Sequence, residues 1–177
     1  FGTGATLLLA DGRRRKTHVF RIVLSHSRKA YSEVVEAQTT ENFVRALENS
    51  FHAFGGVPLT LVIDNLRAAV KRVDWFEPEL NPKVRSFCEH YGVTILPTRP
   101  AMPRHKGKVE RGIAYVQDNA LKGHTFNSLR AQNDHLRAWE EHVADKRIHG
   151  TTKNQVGQVF QTMERTALKT LPNERFP

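Results

Sequence analysis

Apolar residues recur first in short runs and later at helical spacing, so the chain reads as strands followed by alternating helices and strands. Phe1 to Ala10 is β-prone, Asp11-Gly12 marks a turn, and His18 to Leu24 fits a second strand through Val19, Ile22 and Val23. Ser25-His26-Ser27 breaks the pattern and Ala30 to Ala37 resumes it, which predicts an antiparallel meander. Phe43, Leu47, Phe51 and Phe54 then share one helical face, with Thr40 as the expected N-cap and Gly55-Gly56 as the stop. Leu59-Thr60-Leu61-Val62-Ile63, bounded by Pro58 and Asp64-Asn65, reads as a buried central strand. After an excursion of no firm period around Val73 to Pro78, Pro82 to His90 predicts a helix carrying Val84 and Phe87, with Tyr91 on the same face and Gly92 ending it. Val93 to Leu96 is the next strand.

Pro97, Pro100 and Pro103 form a stiff extended loop into Pro103-Arg104-His105-Lys106-Gly107-Lys108-Val109-Glu110-Arg111. From there Val109, Ile113, Val116 and Ala120 step by four, three and four, as one buried helix face requires. A further helix is expected from about Ser128 to Ala144 through Leu129, Leu136, Trp139 and Val143. A shorter one, from Gln155 to Leu168, shows Val156, Val159, Phe160 and Met163. The order predicts an α/β fold with a sheet of mixed direction.

A length of 177 residues suits one domain with a sizeable core and a short appendage. Apolar runs fall far short of the ~18 residues a membrane span needs, and no signal peptide is visible, so a membrane is not an expected partner. The chain opens on Phe1 rather than Met, which suggests part of a longer protein. Cys88 is the single cysteine, which rules out an intramolecular disulfide and fits a reducing cytoplasm. It lies in an apolar helix and is expected to be a buried small hydrophobe rather than a nucleophile. The net charge of +9 and pI near 10.1 change the picture most, because polyanions become the natural partners. No nucleophile elbow, zinc motif or dinucleotide fingerprint is present.

Two carboxylates stand out. Asp64 ends the buried strand at the kind of edge where open α/β sheets bind ligands. Glu110 lies near the start of the next-but-one helix, beside its apolar stripe and within a basic rim. Two carboxylates about 4 Å apart repel by roughly 4 kcal/mol, and a divalent ion with hard oxygen ligands removes that repulsion. The bland alternatives are a strand-to-turn Asp-Asn for Asp64 and an i,i+4 ion pair between Lys106 and Glu110 on a solvated helix.

Leu61-Val62-Ile63-Asp64-Asn65-Leu66-Arg67 and His105-Lys106-Gly107-Lys108-Val109-Glu110-Arg111 resemble the second-Asp and Glu motifs of DDE transposases with a retroviral-integrase-type core, most of all the IstA family of bacterial insertion sequences. His149-Gly150-Thr151-Thr152, Phe160, Glu164-Arg165 and Leu171-Pro172 resemble the segment that follows the IstA core. The resemblance implies an RNase H-like three-layer fold, a mixed five-stranded sheet flanked by helices with a helical C-terminal extension. The expected division is a core over 1–125 and an extension and tail over 126–177. It implies cutting and joining of DNA with Mg²⁺ (or Mn²⁺), two ions in the intact site, held by Asp64 and Glu110 as the second and third acids. Asn65 would orient the acid before it, and Arg104, His105, Lys106, Lys108 and Arg111 would grip DNA.

A homo-oligomer on DNA, an AAA+ helper ATPase and a bacterial, nucleoid-associated cytoplasmic location are the further implications. Forty-five residues lie between Asp64 and Glu110, a longer gap than retroviral integrases usually have, and the excursion near Trp75 accounts for the excess. The family's first Asp directly precedes an aromatic-Gly pair, and Phe1-Gly2 matches that pair, so its expected place is immediately upstream of Phe1. Asp11 is expected to be a hairpin-turn residue instead. An RNase H-type nuclease without strand transfer, or a DNA-binding fragment lacking the first acid, are the other readings of the same residues.

Overall fold

The computed structural model describes residues 1–63, 70–72, 79–97 and 111–177. They form two compact units: residues 1–37 with 112–166, and residues 38–111 with 167–177.

In the first unit, strands β1 (Gly2–Thr3), β4 (His18–Val23) and β5 (Ala30–Val35) make an antiparallel sheet in the order β1-β4-β5. β4 and β5 pair over six residues, from His18 opposite Val35 to Val23 opposite Ala30. The expected first strand is interrupted. Gly4 donates its N–H to the Thr17 carbonyl (2.9 Å), and Thr17, fully buried, donates its hydroxyl to the Ala5 carbonyl (2.7 Å). A Cβ on Gly4 would overlap Thr17 Oγ1, so only glycine allows this approach. Pairing resumes as a separate ribbon, β2 (Leu7–Leu8) with β3 (Arg14–Arg15), closed by Asp11-Gly12 with Gly12 at φ 79°.

Helix α3 comprises residues 111–116 and a π-helical turn, Gln117–Leu121. Helix α4 (Leu129–Trp139) begins at Ser128, whose hydroxyl accepts from Ala131 N (3.1 Å), and runs into a second π turn, Glu140–Ala144. α5 (Val156–Val159) passes into a third π turn, Phe160–Glu164, and a 3₁₀ turn, Arg165–Ala167. The core of this unit joins Val19 and Val34 of the sheet to Val116, Ala120 and Leu121 of α3 and Leu136, Trp139 and Ala144 of α4. The π turns correct two expectations. A π turn adds a residue to the helical repeat, so the apolar stripe slips by one position. Val143 is therefore 49% exposed while Ala144 is 4% exposed, and Met163 is 59% exposed while Phe160 is buried.

In the second unit, α1 (Thr40–Phe54) is capped by Thr39 rather than Thr40. The Thr39 hydroxyl accepts from Asn42 N (3.2 Å), and Gly55 at φ 72° ends the helix. α2 (Pro82–Tyr91) starts at Asn81, which accepts from Lys83 N (3.0 Å), with Pro82 in the first turn and Gly92 at φ 61° as the stop. Strands β6 (Thr60–Ile63) and β9 (Thr94–Pro97) pair in parallel, and β7 (Val70–Arg72) pairs antiparallel with β8 (Glu79–Leu80).

The β6 strand differs from its expected burial on both faces. Leu61 and its partner Ile95 are buried, but Val62 and its partner Leu96, on the alternate face, are 46% and 47% exposed. Both strand directions expected from the element order are present, but among the described residues they lie in separate small sheets rather than in one mixed five-stranded sheet: β6–β9 is parallel and the other pairs are antiparallel.

The core of this unit is aromatic. Phe51 meets Phe87 at 5.8 Å and Tyr91 at 5.3 Å, and Phe87 meets Tyr91 at 4.8 Å. The tail folds back over it. Val57 and Lys169 exchange backbone hydrogen bonds (2.9 Å each), Lys169 Nζ reaches the Gly92 carbonyl, and Phe176 packs edge-on to Phe87. Glu48 ties the tail down, accepting from Tyr91 Oη (2.7 Å), Phe176 N (2.8 Å) and Arg175 Nη1 (3.2 Å). Burial pushes its carboxyl up, but these three donors together hold it below the ordinary range. Because the folded value is the lower one, the tie stabilises fully above the unfolded glutamate range near about 4.3 and is lost as pH falls through the folded value. The urea midpoint is therefore expected to fall on acidification across that window. The fall should be smaller in Glu48→Gln; equal pH slopes in both proteins would remove Glu48 as the cause.

Candidate functional site

Of the sequence-predicted site residues, Asp64, Asn65, Arg104, His105, Lys106, Lys108 and Glu110 lie outside the described residues. Arg111 is described; it is exposed and opens the helical stretch of α3. The geometry around these positions is defined by their neighbours. β6 ends at Ile63, directly before Asp64, and Ile63 pairs with Pro97 at the carboxyl end of β9. Two parallel strands thus finish together at the edge where such sheets carry ligand sites.

The head of α3 is pressed against the sheet of its own unit. A Cβ on Gly2 would overlap Ile113 Cγ2, and a Cβ on Gly112 would stand 3.7 Å from Val23 and 4.0 Å from Arg21 Nε. One turn on, Gln117 Nε2 donates to the Thr3 carbonyl (2.9 Å). The missing side chain at Gly2 lets Ile113 approach β1 closely, and with the Gln117–Thr3 hydrogen bond this sets the register of the first turns of α3 on β1.

Beneath this helix lies a buried ionic cluster that the sequence analysis did not single out. Arg21 Nη1 donates to Glu140 Oε1 and to Ser32 Oγ (2.6 Å), and Ser32 Oγ donates to Glu140 Oε1 (2.8 Å). The two charged side chains are 3% and 7% exposed. The Arg21 guanidinium also lies 5.8 Å from the Tyr115 ring and 5.9 Å from the Trp139 ring, which are themselves 5.3 Å apart. The signal was available in part: Glu140 follows Leu136 by four and so occupies a core-facing step of its helix.

Asp11 is the hairpin-turn residue it was expected to be. Its carboxylate accepts from Arg13 N (3.0 Å) and Arg13 Nε (2.6 Å), contacts that hold it below the ordinary aspartate range. Cys88 is buried, and desolvation, with a smaller effect of Glu89, pushes its thiol up to about 11, so it is an unreactive packing residue. Among the described residues no group of three or more His, Cys, Asp or Glu side chains is placed to hold a metal ion. Among the same residues, no helix is long and apolar enough to cross a membrane.

The fold is the RNase H-like fold of retroviral integrase catalytic cores. The catalytic core domain of BIV integrase superposes with a TM-score of 0.56 at 16% identity, covering 93% of this chain and 95% of that one. The sequence model of the integrase core domain matches residues 5–103. The chain belongs to the integrase core domain family, in the transposase and integrase class. Its relatives include a Mycobacterium tuberculosis protein of the transposase class, 32% identical over 168 residues, which span 94% of this chain and 41% of the relative. The transposase for insertion sequence element IS21 of Pseudomonas aeruginosa is 31% identical over 166 residues, spanning 93% of this chain and 42% of the relative. The chain thus spans about two fifths of the length of these curated relatives.

Proposed function

We propose that the chain is the catalytic core of an IstA-like transposase, which hydrolyses phosphodiesters at element ends and transfers the 3′-OH ends into target DNA. The observation that carries this reading is the family match over residues 5–103, which includes the β6 strand and the acid that follows it. Asp64 and Glu110 are the two acids of this chain assigned to Mg²⁺ or Mn²⁺, with Asn65 orienting Asp64. A pair of such ions supplies an activated water or 3′-hydroxyl and charge stabilisation on the leaving oxygen. A hard cation asks for carboxylate oxygens, and the assignment rests on the motif positions of these two side chains in the sequence.

The contact between Gly2 and Ile113 supports the arrangement. The start of β1 and the head of α3 are apposed, and these are the two segments beside which the family's first and third acids fall. Arg104, His105, Lys106, Lys108 and Arg111 make a basic run of sequence suited to DNA phosphates, in keeping with the overall charge of +9. Within this reading the protein works as a homo-oligomer on DNA, assisted by an AAA+ ATPase, in the bacterial cytoplasm, with the core over 1–125 and a helical extension over 126–177.

The test is a labelled terminal-end duplex incubated with Mg²⁺ and a chain that carries the residues upstream of Phe1. Cleavage followed by joined product is expected. Cleavage without joining would mean an RNase H-type nuclease, and DNA binding without either would mean a binding module. Lys106→Ala should weaken DNA binding and lower the salt slope by about one unit while leaving metal dependence intact. An unchanged slope would take Lys106 out of the DNA contact.

A further inference from the structure

The loop Leu24–Lys29 and the segment 145–149, each carrying basic residues, meet in the first unit through Lys29 and Asp145. Leu24 N donates to the Lys29 carbonyl (2.8 Å) and Arg28 N to the Leu24 carbonyl (3.1 Å), a tight turn that holds Arg28 at φ 68°. Lys29 pairs with Asp145, which joins this turn to the chain just before Arg147 and His149. Arg147 is fixed in turn: its guanidinium lies 4.0 Å over the Tyr115 ring, and its carbonyl accepts from Val156 N (3.2 Å). His149 is fixed as well. Its Nδ1 accepts from Thr151 N (3.3 Å) and Thr152 N (3.4 Å), so in the neutral ring the proton sits on Nε2.

Among the described residues no acid makes a direct ion pair with Arg28 or Arg147. Asp145 is paired with Lys29, and both Glu164 oxygens accept from the backbone, from His26 N (3.1 Å) and Ser27 N (2.9 Å). Arg28 and Arg147 are half-buried, their Nε atoms are covered and without a hydrogen-bond partner, and neither guanidinium has an ion-pair partner among the described residues. Both guanidiniums therefore keep donors that an anion can accept from, although the Glu164 and Asp145 carboxylates also stand at this turn.

We propose that Arg28, Arg147 and His149 form a phosphate site that takes one backbone phosphate of bound DNA, separate from the contacts proposed for the basic run around Lys106. The two guanidiniums supply charge and donors, and His149 Nε2–H supplies a neutral donor. In support, burial first, then Arg147 and Arg28, hold the His149 imidazole below its ordinary range, so both positive charges act on this ring. The site deepens the DNA-acting reading above and rests on it. It also gives a role to the His149-Gly150-Thr151-Thr152 segment: its two backbone N–H groups set the ring's tautomer.

The test measures affinity for a fluorescent duplex of mixed sequence as a function of salt, in EDTA, so that the outcome is independent of Asp64 and Glu110. Arg28→Asn keeps a residue tolerant of positive φ and removes the charge; Arg147→Gln removes the second charge; exposed Lys122→Gln is the control. Each arginine variant should flatten the plot of log K against log salt by about 0.9, and the control should match wild type. Slopes equal to wild type, or a control that flattens equally, would overturn the site. Arg28→Asn decides the matter if Arg147→Gln does not fold. By NMR, the His149 ring pKa should rise when the duplex is added. A rise with inorganic phosphate but not with duplex would overturn the DNA assignment. Loss of cleavage and joining in metal, with these slopes retained, would count against the transposase reading alone.

Discussion

Asp64→Asn and Glu110→Gln are each expected to lower both cleavage and joining by at least about 10²–10³-fold, the loss that follows removal of a single charge-stabilising group. Both substitutions are nearly isosteric and remove only the negative charge. If the acids hold cations, DNA affinity measured in EDTA should stay at the wild-type level while activity in Mg²⁺ disappears. In the proposed site the two steps should fall together, because one set of carboxylates would serve hydrolysis and transfer alike. A variant that joins ends at the wild-type rate would remove that residue from the site. A variant that loses DNA binding in proportion to activity would instead make it a structural or DNA-contacting residue.

The second large effect is on stability. Glu140→Ala should cost about 3–5 kcal/mol, because it leaves the Arg21 guanidinium buried without its partner. Arg21→Met alone should be comparably damaging, stranding Glu140 against Ser32. The double variant Arg21→Met with Glu140→Leu is expected to recover most of the loss, since burying an ion pair contributes little net stability over well-packed apolar groups. Urea unfolding of the two single variants and the double gives the coupling directly. Additive costs would mean the pair is not coupled. Retention of stability in Glu140→Ala would mean that water or a neighbouring group already neutralises Arg21.

Some of this architecture is written locally and some is not. The stops at Gly55 and Gly92 were legible because a left-handed φ closing a helix favours glycine. The cap of α1 was misplaced by one residue because Thr39 and Thr40 are chemically equivalent in sequence, and only the hydrogen bond to Asn42 separates them. The Asp11-Gly12 turn was legible, but not the break at Gly4, which depends on Thr17 arriving from another segment. Long-range pairing explains the largest omission. Arg21 and Glu140 are 119 residues apart, and an arginine between Phe20 and Ile22 gives no hint of which acid it meets. The candidate acids Asp64 and Glu110 rest on motif order and on the elements preceding them, of which the strand ending at Ile63 is present as expected. Single-sided burial of β6 was not legible: Leu61-Val62-Ile63 is apolar on both faces, and tertiary context alone separates Leu61 from Val62.

The three π turns, Gln117–Leu121, Glu140–Ala144 and Phe160–Glu164, have a consequence for comparing this chain with its relatives. Each forms the closing turn of its helical run (the third passes into a 3₁₀ turn), where one extra residue shifts the last positions relative to a continuous α-helix. Position-by-position transfer of roles at these last positions is therefore in phase only with relatives that share the same turns. Deleting one residue from the second turn would rotate Ala144, the last residue of that helical run, by about 100° about the helix axis. A homologue one residue shorter there would have to bury a different position of that last turn.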